Sequence, residues 1–148
     1  STDKAVIITL GSGSSRSPRV RSEGTKQIIG AMQRYGVKRL VCQTTLGAGD
    51  SWNNLNFFWK SLTFGVLLRP VFEDHERQEQ LVKGSDLEWN IVRLSVFTNG
   101  APRGASKIDI SPEQRGLTLK ISRAEVAEFL ITSLRERSFL YRAVGMSY

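Results

Sequence analysis

Residues 5–10, AVIITL, form an unbroken run of apolar and β-branched side chains, and Gly11, Ser12 and Gly13 end it at once. A strand that is apolar on both faces suits the interior of a parallel sheet, where helices cover each side. Such a strand needs neighbours on its left and right, and a parallel neighbour is reached only through a crossover connection. The run therefore points to an α/β chain. It also raises a question: only residues 1–4 precede it, too few to supply a neighbouring strand.

The rest of the chain repeats the pattern. Residues 22–36, SEGTKQIIGAMQRYG, place Ile28, Ile29, Met32 and Tyr35 at helical spacing, with Ser22 as the expected cap and Gly36 as the expected stop. Leu40, Val41 and Cys42 then read as a short buried strand with Thr44 and Thr45 at its carboxyl end. Strand, helix and strand make a βαβ unit. Residues 50–70 are crowded with Trp52, Phe57, Phe58, Trp59 and Phe64, and Pro70 is expected to end that segment. Residues 73–86 read as a polar-faced helix with Leu81 and Val82 near its end, and residues 89–94 as a third strand running into a loop. Residues 107–111 and 117–122 alternate as short strands. In the helix from Ser122 onward, Ser122 caps, Glu125 completes a capping box, and Val126, Phe129, Leu130 and Leu134 form the apolar stripe. Residues 139–148 read as a last strand. No internal repeat or low-complexity segment interrupts the alternation, and a single domain over residues 1–148 is expected.

Composition narrows the function classes. Cys42 is the only cysteine, so an intrachain disulfide and a cysteine-based zinc site are excluded. His75 is the only histidine, which excludes a multi-histidine metal site, and no metal is expected. The apolar runs fall far short of a membrane span, and the start shows no charged-apolar-small leader pattern, so a cytoplasmic protein without membrane contact is expected. The chain starts at Ser1 rather than Met, the pattern of a processed chain or a fragment. A net charge of +7 permits anionic partners, but the excess is spread along the chain, and its densest patch, Arg16, Arg19 and Arg21, sits in a serine-rich loop. With no aromatic-basic RNA signature and no helix-turn-helix spacing, nucleic acid is not expected as the main partner.

Ligands of open parallel sheets bind beyond the carboxyl ends of the strands. The candidate positions are therefore Gly11, Ser12 and Gly13 after the first strand, Thr44, Thr45 and Leu46 after the second, and Leu94, Ser95 and Val96 with Phe97 and Thr98 after the third. Glycines admit close approach of a ligand to backbone, and hydroxyls donate and accept hydrogen bonds. Any one of these loops reads equally as an ordinary turn; three in succession suit a polar cofactor laid across the strand ends. His75 reads either as a solvated helix histidine or as a residue lining a substrate mouth. The 52–64 aromatic cluster reads as core or as the bed for a flat substrate. Cys42, inside a strand, reads as a small buried apolar residue.

The segments VIITLG, SEGTKQIIGAMQRYGVKRLVCQTT, EDHERQEQLVKGSDLEWNIVRLS and TLKISRAEVAEFLITSL, in that order over roughly residues 4–135, resemble the atypical short-chain dehydrogenase/reductase proteins. They are most similar to the NAD(P)H-binding, NmrA-like group that includes biliverdin-IXβ reductase/flavin reductase. The resemblance implies a Rossmann-like three-layer α/β fold with a parallel sheet, and it places this chain from the fourth strand onward, lacking the N-terminal strands of the full fold. The dinucleotide fingerprint of the family would precede residue 1; GSGSS at 11–15 lacks the G-x-G-x-x-G spacing.

Carried over, the resemblance implies that Gly11, Ser12 and Gly13 lie along the middle of NADP or NAD. It sets Thr44 and Thr45 at the nicotinamide end as the catalytic pair, with Leu94, Ser95 and Val96 beside the cofactor. His75 and Arg77 match an Asp-His-x-Arg stretch at the substrate mouth, with Trp52 and Phe58 against the acceptor. Ser95 and Val96 stand where the flavin-reductase branch has Pro and His, so Val96 cannot do what that histidine does, and no Tyr-x-x-x-Lys pair is present.

The expected function is NAD(P)H-dependent hydride transfer to a flat conjugated acceptor such as a flavin or quinone, with only weak dinucleotide binding by this chain alone. The alternative is a non-catalytic Rossmann-like regulatory or interaction module that has lost dinucleotide binding. The strand at residues 5–10, lacking one neighbour, is expected to pair with a second copy in a homodimer or with a separate N-terminal fragment.

Overall fold

The computed structural model describes residues 4–13, 17–55, 60 and 68–148. Among them, β1 (Ala5–Ile8), β2 (Arg39–Thr45), β3 (Glu88–Leu94), β7 (Ala143–Ser147) and β5 (Lys107–Ile108) form one sheet in that spatial order. The first four strands run parallel, and only the short β5 pairs antiparallel, against β7. The register sets Ile8 beside Cys42, Cys42 beside Ile91, and Ile91 beside Ala143. A second, two-stranded sheet joins β4 (Val96–Thr98) to β6 (Lys120–Ser122). The described residues also include the helices α1 (Val20–Tyr35), α2 (Arg69–Lys83) and α3 (Arg123–Arg135), with a 3-10 turn at Gly49–Asn54.

Because strand side chains alternate, each parallel strand feeds two cores. On one face Ile8, Leu40, Cys42 and Ile91 pack with Ile29 and Met32 of α1 and with Val82 of α2. On the other, Val41, Val92, Leu94, Val144 and Met146 pack with Val126, Phe129 and Leu130 of α3. This is the Rossmann-like, three-layer α/β arrangement with a mostly parallel sheet. The strand expected over residues 5–10 pairs only as far as Ile8. Leu10 turns instead onto α1, where the absence of a side chain at Gly24 admits it: a Cβ there would lie 2.6 Å from Leu10 Cδ1.

Helix stops follow the sequence. Gly36 takes a left-handed φ of 70° and ends α1, and its successor Val37 donates its N–H to Met32 O at 2.9 Å. Ser122 accepts the Glu125 N–H at the start of α3.

Three readings are corrected. Ser22 is not the cap of α1, which starts at Val20. Ser22 lies buried in the first turn, and its N–H and hydroxyl both go to the Asp74 carboxylate of α2. Pro70 does not lie before α2 but in its first turn, where its missing N–H costs nothing. Finally, Val96–Thr98 is not a loop, because Val96 N–H finds Leu119 O at 3.0 Å and the segment pairs with β6.

Candidate functional site

The carboxyl ends of β1, β2 and β3 lie side by side, so the loops after them share one rim of the sheet. The first loop is open: a side chain at Gly11 would meet nothing within 4 Å, and Gly13 holds a left-handed φ of 50°. Ser12, half-buried between them, accepts a long hydrogen bond of 3.5 Å from Arg21 Nη2.

Thr45 and Leu94 stand opposite each other at the ends of β2 and β3. The Thr45 hydroxyl is half-buried and donates to Leu46 O at 3.3 Å, a long bond that an incoming acceptor atom can replace. Thr44 faces the other way. It is buried, and its hydroxyl donates to Glu79 Oε1 at 2.8 Å. Leu94 is committed to the core under α3. The Ser95 hydroxyl donates to Met146 O at 3.1 Å, while Val96 is 45% exposed.

Thr44 belongs to a buried ion-pair network that no motif announced. Arg93 projects from near the carboxyl end of β3, and its guanidinium grips Glu79 of α2 with two prongs, Nε to Oε1 at 2.9 Å and Nη2 to Oε2 at 2.8 Å. Its third nitrogen, Nη1, donates to Asp50 on the 3-10 turn. Lys83 adds a further contact to Glu79 at 3.4 Å. Burial pushes the Glu79 carboxyl up, but the Arg93 hydrogen bonds and charge, with the Thr44 hydroxyl, outweigh it and hold Glu79 below the usual range. The Arg93 hydrogen bond likewise holds Asp50 low. The network ties β2, β3, α2 and the 3-10 turn together directly behind the strand ends. The legible signal was a charged residue in the apolar strand WNIVRLS, because a buried arginine requires a carboxylate.

The remaining candidates lie elsewhere on the molecule. His75 is 8% exposed and meets Gln78 Oε1 through Nδ1 at 3.3 Å. Burial, aided by the charge of Arg21, pushes its pKa down to about 4, so the ring is neutral at pH 7. Arg77 lines a groove between α1 and α2 and reaches Glu73 at 3.9 Å. Trp52, on the 3-10 turn, stacks edge-on against Phe72 at 6.3 Å and packs over Leu46, Leu55 and Leu119. Phe58, with most of the aromatic segment, lies outside the described residues. Cys42 is fully buried, and burial raises its thiol pKa, which leaves it unreactive.

The nearest helix N-terminus is already occupied. The Asp74 carboxylate accepts the N–H groups of Arg21 and Ser22, at 3.0 and 3.1 Å, together with the Ser22 hydroxyl at 2.5 Å. The first turn of α1 therefore does not offer those donors to a phosphate. The backbone at Gly11 and Gly13 is open, while the described residues near α1 present no ready pyrophosphate cradle. Among the described residues no three His, Cys, Asp or Glu side chains gather at metal-ligating spacing, and no helix is long and apolar enough to cross a membrane.

A family model described as NAD(P)H-binding matches residues 1–137. Among solved structures, the chain is similar to the oxidoreductase ylbE of Lactococcus lactis, with a TM-score of 0.77 at 15% identity over 96% of this chain and 60% of that one. It is similar to ChuY, an anaerobilin reductase of Escherichia coli, with a TM-score of 0.75 at 22% identity over 97% of this chain and 63% of that one. It is also similar to a short-chain dehydrogenase/reductase of Veillonella parvula determined in complex with NADP, with a TM-score of 0.70 at 18% identity, covering 86% and 58%. The chain thus spans about three-fifths of the length of each of these structures.

Proposed function

Since the chain belongs to the NAD(P)H-binding family, we propose that it is the substrate-side portion of an NAD(P)H-dependent reductase that passes hydride to a flat conjugated acceptor. The observation that carries this reading is the family match over residues 1–137, on a sheet whose carboxyl rim bears the open Gly11–Gly13 loop beside Thr45. The reductase title of ChuY and the NADP complex of the Veillonella protein support the reaction class and the cofactor class.

When bound, the dinucleotide supplies the hydride, so the protein need only orient and polarise. Gly11, Ser12 and Gly13 would lie along the cofactor, with the backbone of Leu94, Ser95 and Val96 on the neighbouring strand end. Of the two threonines, Thr45 carries the more available hydroxyl, since that of Thr44 is held by Glu79. Thr45 would donate to the atom on which charge develops, and Thr44 would hold the strand end in register with α2. Trp52 would form one wall for the acceptor. His75, neutral and buried, and Arg77 would act through the placement of α2 and not by contact with the acceptor.

Titration with NADPH and NADH, followed by tryptophan fluorescence, tests the reading. Saturable quenching weaker than the micromolar range is expected, because the sequence carries no G-x-G-x-x-G run to cradle the pyrophosphate. No saturable quenching by either nucleotide would favour a regulatory or interaction module of the same fold instead. In a preparation that turns over, Thr45→Val is expected to lower kcat about tenfold or more with little change in cofactor affinity, as loss of a donor used only in the transition state does. An unchanged kcat would remove Thr45 from the reaction.

A further inference from the structure

Residues 99–106, NGAPRGAS, join β4 to β5. Both ends run into strands, and residues 99–105 are exposed. Among the described residues, no backbone-to-backbone hydrogen bond holds the segment. The strands β3 and β7 end side by side, with Leu94 opposite Met146. Just beyond the end of β7, the Arg103 guanidinium rests over the Tyr148 ring at 4.9 Å. The segment therefore lies at the same carboxyl end of the sheet as the strand-end rim.

One carboxylate holds its middle. Glu125, 6% exposed, stands in the first turn of α3. Its Oε1 accepts the Gly104 N–H at 3.1 Å, and its Oε2 accepts the Arg103 N–H at 3.3 Å. Two successive backbone N–H groups that converge on one anion make a nest. Gly104 shapes this one with a left-handed φ of 67°. At the root of the segment, Arg123 Nη1 donates to Asn99 Oδ1.

A capping box uses its glutamate differently, since there the carboxylate reaches back to the N-cap N–H. Here the Ser122 N–H goes to the Tyr148 hydroxyl at 3.3 Å, and that hydroxyl donates to Glu125 Oε2. The Ser122 hydroxyl also donates to Oε2, at 3.1 Å. Tyr148 thus stands in for the carboxylate at the cap, which leaves Glu125 to the loop. Burial pushes the Glu125 carboxyl up, but the Tyr148 hydroxyl and the other donors outweigh it and hold it below the usual range, so it is ionised at pH 7.

We propose that residues 99–106 are a strap at the carboxyl end of β7 and that Glu125 is its latch. With the latch made, the strap lies on Tyr148; with it broken, the strap swings off while α3 stays folded. An exposed segment with no backbone partners opens locally at small cost, and the two charge-assisted bonds to Glu125 are what oppose it. That the strap gates the acceptor side of the rim rests on the nicotinamide reading; the latch itself does not.

Amide hydrogen exchange of the chain, with limited trypsin cleavage as a second readout, tests the latch, and neither needs nucleotide or turnover. Trypsin reads the strap at Arg103–Gly104, and at Arg115–Gly116 it reads an exposed segment that Glu125 does not hold. Glu125→Gln keeps a residue type that serves a capping box but puts an N–H donor where one acceptor oxygen stood. It is expected to speed exchange at residues 103 and 104, and cleavage between them, about tenfold or more. Exchange across α3 and cleavage at Arg115–Gly116 should not change. Gly104→Ala leaves Glu125 and Tyr148 in place. Its Cβ would meet nothing within 4 Å, so it penalises only the left-handed backbone of the latched form. The same local change, about tenfold, is expected from it. Exchange and cleavage at 103–104 that stay unmoved in either variant overturn the proposal. So does a rise in Glu125→Gln that extends evenly over α3 and Arg115–Gly116, which would make Glu125 a helix cap alone.

Discussion

Arg93→Ala is expected to destabilise the chain by about 3–5 kcal/mol, the cost of removing one partner from a buried ion pair and leaving the other charge uncompensated. The Arg93 and Glu79 side chains are 5% and 3% exposed, so solvent screens neither. The loss of Arg93 also frees Asp50, but that carboxylate is 72% exposed and is readily hydrated, so the penalty falls on Glu79. Urea unfolding monitored by circular dichroism measures the effect. The double variant Arg93→Met, Glu79→Leu is expected to recover most of the loss, because well-packed apolar groups replace such pairs at little cost. What it would not recover is the Thr44 hydrogen bond, worth about 1 kcal/mol. A cost below about 1 kcal/mol for Arg93→Ala would show that the pair contributes nothing to holding α2 on the sheet.

The second large effect is a pH dependence. His75 has an ordinary pKa of 6.5 and a folded-state value of about 4. The unfolded chain therefore binds a proton over that interval and the folded chain does not, so stability falls as the pH falls. The contribution is intact above pH 6.5, declines from there to about 4, and is gone below. Its full size is about 3 kcal/mol. The groups that face the ring from α1 and α2 are Arg21, which disfavours the imidazolium, and Asp74 and Glu79, which favour it but do not offset burial. The depressed carboxylates Glu79, Asp50 and Glu125 also lose stability as the pH falls, in a more acid window. The comparison is therefore between the parent chain and His75→Gln, whose unfolding free energies should converge as the pH drops through the interval. Parallel profiles would mean that His75 is hydrated and titrates near its ordinary value.

These two effects share an origin in α2. Residues 73–86 read from sequence as a polar-faced helix, and part of that polar face is turned inward: Asp74, His75, Gln78 and Glu79 are buried together with Val82. Periodicity reports where polar residues fall around a helix, but not whether water or other side chains satisfy them. Here Asp74 completes the N-terminus of α1, Gln78 donates to Thr25, and Glu79 receives Thr44 and Arg93. The same limit applies to Thr44 and Thr45. Adjacent on one strand, they face opposite sides of the sheet, and only the position of α2 decides which hydroxyl is already held.

The sequence by itself determined the α/β class, the order of the strands and helices apart from β4, the stop at Gly36 and the cap at Ser122. Each of these depends on residues within a few positions of one another, through side-chain alternation, helical spacing, a left-handed glycine or an i to i+3 hydrogen bond. The apolar strands read at residues 5–10, 40–42 and 89–94 were legible for the same reason, although the first pairs only as far as Ile8. Only the tertiary structure decided the partners of Arg93, Asp74 and Asn54, because those partners lie 14, 52 and 57 positions away in the chain. A buried polar group announces that it needs a partner, but its composition does not say which one. That choice is made where the crossover connections bring distant segments against the same face of the sheet.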